Sequence, residues 1–175
     1  MNRILSTSFL VVFALMAWVP LGQQAFMEEH WMKIGAYIAP VLMFLAFHRR
    51  RVHEPRILSD VTLMASLLTA AYLLHQVEEH WVDLMGRPYP LYDFLNTLIA
   101  DVAGEDRYGV LTPSAIFYVN AGMVWTVGFV SILVSPKYVF PAIAMAGLTI
   151  VNGVAHALNG LAYQSYNSGL ATGLL

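Results

Sequence analysis

The chain begins with an apolar stretch, from Ile4 to Met27, that contains no charged residue. This stretch exceeds the roughly 20 residues that a helix needs to cross a hydrocarbon core about 30 Å thick. With Arg3 in front of it, the stretch also fits a secretory signal peptide. The whole chain is apolar, however, since 58% of its residues are hydrophobic and 11% are charged. In soluble domains about 45–50% of residues are hydrophobic and about 25% are charged. The sequence therefore predicts a membrane protein.

The remaining composition excludes several classes of function. A formal net charge of -2 provides no basic surface of the kind that binds nucleic acid, so nucleic acid is not expected as a partner. The absence of cysteine rules out disulfides, thiolate metal sites and a cysteine nucleophile. The sequence has neither a Gly-x-Ser-x-Gly elbow nor a phosphate-binding glycine loop. A metal site would have to use His, Asp and Glu.

Apolar runs separated by short polar breaks predict an all-α fold, a polytopic transmembrane helical bundle that forms a single domain over residues 1–175. Between the spans lies one long polar stretch. Its apolar residues recur at helical spacing over 91–103, opposite Asp93, Asn96 and Asp101, which predicts an amphipathic helix in the membrane interface. About five spans are predicted, at 4–29, 31–48, 57–82, 111–134 and 138–163, with an outward loop at 83–110.

Basic residues predict the orientation of the bundle. Arg49, Arg50, Arg51 and Arg56 lie between the second and third spans, and such loops remain in the cytoplasm. The N-terminus and the 49–56 loop are therefore expected to be cytoplasmic, and the acidic 83–110 loop to face outward. Spans one, three and five would then run parallel to each other, from inside to outside.

A tetrapeptide occurs twice in the chain, as Glu28-Glu29-His30-Trp31 and as Glu78-Glu79-His80-Trp81. Both copies lie at the predicted outer ends of parallel spans. Because a helix turns about 100° per residue, His75, Glu78 and Glu79 fall on one side of the third span. His80 lies about 140° from His75 and is expected to point elsewhere, at the rim beside the interfacial tryptophan.

A second polar stripe lies on the fifth span, where Asn152, His156 and Asn159 are spaced i, i+4, i+7. His75 and His156 each lie 18 residues beyond the start of their span, a rise of about 27 Å. Glu28 reaches a similar or greater depth on the first span. The polar clusters of three parallel helices are therefore expected to meet near the outer face.

Carboxylates in this position require compensation. An unpaired acid at the bilayer centre costs about 2.5–3.5 kcal/mol, and the nearest basic residue that could pair with it is Lys33, at the start of the second span. Four Glu and two His are the ligand set of helical di-metal carboxylate proteins, and such ligands suit iron, zinc or manganese. We therefore predict a divalent metal. The expected ligands are His75, Glu78, Glu79 and His156 with Glu28 and Glu29, and the expected catalytic residues are Glu79 and Asn152.

The motifs His75-Gln76-Val77-Glu78-Glu79 and Asn152-Gly153-Val154-Ala155-His156 resemble those of the HXXEE family of small integral membrane proteins. The C-terminal residues Tyr166 to Thr172 resemble the family's Asn-Pro-Gly-Leu stretch, with Ser168 where a proline is usual. The resemblance implies a multi-helix membrane protein that binds metal, and it implies no particular reaction. The residues from Ser165 onward are apolar, so they are expected to lie along the interface or to open another segment.

Two functions are compatible with these features. The first is a membrane metalloenzyme, hydrolase or oxidoreductase, that acts on a lipid-like or apolar substrate beneath the 91–103 segment as a lid. The alternative is a non-catalytic accessory subunit, associated with a larger membrane complex. A haem held by His75 and His156 would leave the glutamates unexplained, and an ion path lacks polar groups in the inner halves of the spans beyond Asp60. Membrane lipid is the expected partner in each case.

Overall fold

The computed structural model describes residues 24–52 and 57–174, and every long element in them is a helix. This confirms the all-α helical bundle. The first predicted span lies mostly outside the described residues. The helices are α1 (Gln24–Val52), α2 (Ile57–His80), α3 (Pro90–Ala103), α4 (Pro113–Val134), α5 (Phe140–Tyr163) and the short α6 (Leu170–Gly173).

Among residues 24–52 and 57–174, three helices are long and apolar enough to cross a membrane: Gln24–His48, Pro113–Val134 and Phe140–Tyr163. They support a membrane protein, while the number of spans and the side of the N-terminus stay predictions. α1 is one continuous helix through residues 29–31, where the sequence predicts the boundary between two spans. The Glu28-Glu29 pair therefore lies within the first two turns of α1 as described.

α2 is the central helix of the described bundle, because it packs against α1, α4 and α5. The start of α1 lies beside the end of α2, where the rings of Trp31 and His80 are 5.2 Å apart between centroids. Trp31 also lies 6.0 Å from the ring of Trp125 on α4, and all three side chains are buried. α1 and α2 are thus antiparallel, and both Glu-Glu-His-Trp copies lie at the same end.

α4 begins with Thr112 as its cap. The Thr112 hydroxyl oxygen accepts a hydrogen bond from Ala115 N at 3.1 Å, and Pro113 occupies the first turn. The helix then widens into a π-helical turn at Tyr118–Val124. A π-helical turn changes the directions in which its side chains point, and such turns occur often at functional sites. This one carries Asn120, whose side chain lies close to α2.

The amphipathic helix of the loop is confirmed as α3, but the prediction that Asn96 lies on its polar face is wrong. Asn96 is fully buried. Its Oδ1 accepts hydrogen bonds from Gly109 N and Leu111 N, both at 3.1 Å, and its Nδ2 donates to Leu111 O at 3.0 Å. Asn96 therefore ties the returning loop to α3, a role that a helical periodicity does not distinguish from solvent exposure.

α2 and α4 approach closely at Gly128. A Cβ at this position would lie 2.8 Å from Cγ2 and 2.9 Å from Oγ1 of Thr69, a buried residue on α2. Thr69 cannot turn away easily, because β-branched side chains are stiff in helices and its hydroxyl donates to Ala65 O at 2.7 Å.

We expect Gly128→Ala to lower the free energy of unfolding by about 1–3 kcal/mol, since an added methyl group overpacks this contact. Thermal unfolding in a neutral detergent measures the change. Gly147→Ala is the matched control, because a Cβ on Gly147 in α5 meets no described atom within 4 Å. The control is expected to be neutral or slightly stabilising. Equal losses of stability in both variants would contradict close packing at Gly128.

Candidate metal centre

Three buried side chains from two helices meet near one end of the bundle. His75 and Glu79 lie one turn apart on α2, and His156 lies on α5. Their ligand atoms all lie within 4.8 Å of one another. Glu79 Oε1 lies 2.7 Å from His156 Nε2 and 3.3 Å from His75 Nε2. We call these three residues the ligand cluster.

The hydrogen bonds of His156 determine which ring nitrogen carries its proton. Asn167 Nδ2 donates to His156 O at 2.9 Å, which orients the amide, because a backbone carbonyl can only accept. Asn167 Oδ1 therefore faces His156 Nδ1 at 2.7 Å and accepts its proton. The lone pair of neutral His156 is then on Nε2, directed at Glu79.

The same reasoning applies to His75. Its Nδ1 lies 2.9 Å from the hydroxyl oxygen of Thr172. That hydroxyl donates its only proton to the Glu78 carboxylate, so its oxygen accepts from His75 Nδ1. The His75 lone pair is therefore also on Nε2, where Asn152 Nδ2 donates to it at 2.6 Å. Asn152 thus touches the inward-facing nitrogen of His75.

At His156 this assignment directs one hydrogen-bond acceptor at another, because the Nε2 lone pair faces Glu79 Oε1 at 2.7 Å. His75 Nε2 lies 3.3 Å from the same oxygen, and its lone pair accepts from Asn152 Nδ2. Electron pairs at such distances repel each other unless a positive charge lies between them, either a proton or a metal ion. The second oxygen of Glu79 is 3.0 Å from Gln76 Nε2, which donates to it, and 3.4 Å from His80 Nε2.

His80 corrects a prediction from the sequence. It was expected at the rim of the site, yet it is buried, with 5% exposure, and contacts Glu79. A helical wheel gives the direction of Cβ, whereas the imidazole of a neighbouring residue is long enough to reach back to the carboxylate. Asn120 Nδ2 also lies 3.4 Å from His80 Nε2, and Tyr72 OH donates to Asn120 Oδ1 at 3.3 Å.

Glu78 lies beside the ligand cluster but does not join it. Its carboxylate accepts hydrogen bonds from Tyr166 OH at 2.6 Å, Thr172 N at 2.8 Å and Ala171 N at 3.3 Å, and from the Thr172 hydroxyl. Burial and the hydrogen bond to Glu78 raise the pKa of Tyr166 to about 12. Glu78 therefore binds the C-terminal segment, by which we mean residues 164–174.

Glu28 and Glu29 also lie apart from the ligand cluster. Glu28 Oε1 accepts from Gln24 Nε2 at 2.6 Å, and Glu29 Oε1 lies 3.8 Å from His30 Nε2. Both line a cavity at the start of α1, and so does His80. Of the six predicted metal ligands, the structure thus brings His75, Glu79 and His156 into one cluster.

The residues that the sequence did not predict belong mainly to the C-terminal segment. It turns back after α5 through Gln164, whose φ is 48°, instead of extending along the interface. Tyr166, Asn167, Ser168 and Thr172 then contact Glu78, His156, Asp83 and His75. Their resemblance to a family motif was the one indication in the sequence that this stretch matters.

Asp83 anchors the segment from the other side. Burial alone would raise the pKa of the Asp83 carboxyl, but hydrogen bonds from the backbone and side chain of Arg87, from Ser168 and from Met85 N hold it below its usual value. The guanidinium contact measures 2.7 Å and the Ser168 contact 3.1 Å. The segment is thus attached at Glu78 and at Asp83.

Gly169 covers the ligand cluster directly. Its φ is 89°, and a Cβ there would lie 2.7 Å from carbon atoms of His75, Glu79 and His156. Only glycine meets both requirements, because a side chain would be strained at this φ and would collide with all three residues. The backbone of the C-terminal segment thus lies against the cluster and keeps bulk water away from it.

Gly169→Ala is expected to displace the C-terminal segment and to destabilise the fold by more than backbone strain alone. Gly109→Ala is the matched control, because Gly109 has φ 84° and no described atom within 4 Å of its Cβ position. Thermal unfolding gives the free energy of unfolding of each variant, and the difference between the two values measures the cost of the collision. Limited proteolysis near residue 164 should be faster only for Gly169→Ala. Identical behaviour of the two variants would show that Gly169 does not pack on the cluster.

Comparison with known proteins agrees with this site. A sequence model described as "Protein of unknown function with HXXEE motif" matches residues 66–175, which is more than half of the chain. The match includes the whole ligand cluster and the C-terminal segment. No curated protein and no solved structure matches the chain. The chain therefore belongs to the HXXEE family.

Proposed function

We propose that this protein binds a divalent metal ion within the membrane and uses it as an enzyme on a lipid-like or apolar substrate. One observation carries the proposal, namely the convergence of two imidazole Nε2 atoms and one carboxylate oxygen in a buried position. A proton is the simplest ion that relieves the repulsion between these acceptors. A metal ion does so with all three groups at once.

The donor set fits such an ion. Two His and one carboxylate are the protein ligands of several catalytic zinc sites and of non-haem iron sites, which leave coordination positions open. Metal–ligand bonds of about 2.0–2.2 Å correspond to ligand atoms about 3–3.5 Å apart. The 3.3 Å between His75 Nε2 and Glu79 Oε1 lies in this range. The 2.7 Å between His156 Nε2 and Glu79 Oε1 requires a small opening.

The surroundings also support a metal. Metal-bound histidines commonly use their other ring nitrogen to donate to a neighbouring acceptor, which orients the ring. Thr172 and Asn167 accept from Nδ1 of His75 and His156 in this way. In such a site a metal supplies Lewis acidity or an activated water. Glu79 would hold the ion. A metal on His75 Nε2 would replace the hydrogen bond from Asn152, whose amide would then be available to orient a ligand or the substrate.

The substrate class follows from the position of the site. The cluster lies between α2 and α5, and α5 is apolar enough to cross a membrane. A molecule that reaches this site from the bilayer would be lipid-like or apolar, and the covering segment would limit access from water. We infer that the reaction is a metal-assisted hydrolysis or oxidation at the end of such a molecule.

Purified protein should contain stoichiometric metal, measured by elemental analysis after purification in a neutral detergent. The variant Glu79→Gln/His156→Ala should lose it, because two of the three ligands are removed. Glu105→Gln/His48→Ala is the control, since it makes the same changes at exposed residues outside the cluster. Circular dichroism and size-exclusion chromatography separate loss of metal from loss of the fold. Metal-free wild type after supplementation with iron, zinc and manganese would contradict the proposal, and so would undiminished metal in the ligand variant.

Turnover is tested with a membrane lipid extract and mass spectrometry. The metal-loaded protein is expected to consume an apolar species, and a chelator should stop the reaction until metal is returned. The ligand variant should be inactive, and the Glu105→Gln/His48→Ala control should remain active. A metal-loaded protein that changes no lipid, yet co-purifies with another membrane complex, would favour an accessory subunit over an enzyme.

A further inference from the structure

A cavity of about 570 Å³ lies beside the ligand cluster, between the start of α1, the start of α3 and the start of α4. This volume is in the range of small-molecule sites, about 300–1,000 Å³. His80 connects the two places, because it lines the cavity and its Nε2 lies 3.4 Å from Glu79 Oε2. A group bound in the cavity would therefore lie next to the ligand cluster, with His80 between it and Glu79.

The titratable groups that line the cavity are acidic apart from His80 and two tyrosines. Glu28, Glu29 and Asp93 line it, and none of the described lining residues is Lys or Arg. Within the described residues, their polar contacts are to Gln24, His30 and Tyr108. Glu29 and Asp93 are exposed and Glu28 is half-buried, and none of the three carboxylates forms an ion pair with a described Lys or Arg.

Two basic residues, Lys33 and Arg87, are close in sequence to residues that line the cavity, and both contact other groups. Lys33 Nζ lies 3.3 Å from His30 Nδ1 and 5.3 Å from the ring centre of Trp81. Arg87 forms its ion pair with Asp83 at 2.7 Å and lies over the ring of Tyr166. A positively charged group supplied by a ligand would therefore meet three carboxylates without displacing Lys33 or Arg87.

The remaining lining is aromatic and apolar. Trp31, Tyr89 and Tyr92 contribute aromatic surface, and Ala25, Met32 and Ile116 contribute aliphatic surface. Aromatic rings attract alkylammonium groups through their negative faces, and the attraction strengthens when the group is desolvated. Acids together with aromatic rings favour a cation that carries alkyl groups over a small hydrated metal ion.

We propose that this cavity binds the ammonium group of a cationic amphiphile, a molecule with a tertiary or quaternary amine on a hydrocarbon body. The three carboxylates attract the positively charged amine. The apolar lining, beside helices that are apolar enough to cross a membrane, favours the hydrocarbon part of the molecule. The inference rests on the proposed function in one respect, since it makes this amphiphile the substrate class of the neighbouring metal site. The binding itself requires no metal.

Dodecyltrimethylammonium is the probe, measured by equilibrium dialysis against the full chain in a neutral maltoside detergent. Dodecyldimethylamine oxide at pH 8 has the same chain with a neutral headgroup, and tetramethylammonium has the headgroup alone. The cationic amphiphile is expected to bind at least tenfold more tightly than either. Its affinity should fall as salt rises from about 0.05 to about 0.5 M, because salt screens the carboxylates.

The variant Glu28→Gln/Glu29→Gln/Asp93→Asn should weaken binding at least tenfold and remove the salt dependence. Asp101→Asn/Glu105→Gln/Asp106→Asn is the matched control, since it removes three exposed charges outside the cavity. It should bind like the wild type. Unchanged binding in the first variant, or equal losses in both, would overturn the proposal. Tetramethylammonium binding as tightly as the amphiphile would overturn the hydrocarbon requirement.

The two proposals fail independently. Glu79→Gln/His156→Ala should lose metal and retain the cationic amphiphile, whereas the cavity variant should retain metal and lose the amphiphile. A protein without metal that still binds the amphiphile would refute the metal site alone. A metal-loaded protein that ignores the amphiphile would refute the cavity proposal alone. Thermal unfolding of each variant confirms that the fold is intact before binding is compared.

Discussion

The burial of the Glu79 carboxylate is the constraint around which this end of the bundle is organised. An ionised carboxylate is costly inside a protein or a membrane unless hydrogen bonds and positive charge compensate it. Both oxygens of Glu79 have close partners, with His75 and His156 at one and Gln76 and His80 at the other. Those partners come from α2 and α5. Satisfying this carboxylate therefore requires that the two helices pack in one register.

The sequence predicted the elements of this arrangement that depend on helical geometry. A helical bundle, the amphipathic helix in the loop and the convergence of His75, Glu79 and His156 all follow from periodicity and from counting residues along apolar runs. Periodicity and residue counts along a span depend on local chain geometry, which repeats regularly in a helix. The resemblance to the HXXEE family through the same motifs is confirmed by the family match.

Helical periodicity could not predict that Glu79 joins the ligand cluster while Glu78 binds the C-terminal segment. The two residues are neighbours, and their difference arises from the C-terminal segment, which binds Glu78 through Thr172 and Tyr166. That segment is too short and too irregular to show a period. Its return depends on left-handed backbone at Gln164 and Gly169 and on side-chain contacts across more than 80 positions of sequence. Asn96 and His80 escaped prediction for a similar reason, since burial by a distant part of the chain leaves no local pattern.

The covering segment has a consequence for the exchange of a bound ion. Thr172 and Asn167, the partners of Nδ1 in His75 and His156, both belong to this segment. When the segment is displaced, both rings are free to turn and the cluster is open to water. When Gly169 lies against the cluster, an ion held there is enclosed. Entry and release of an ion would therefore require local opening of this segment, without unfolding of the bundle.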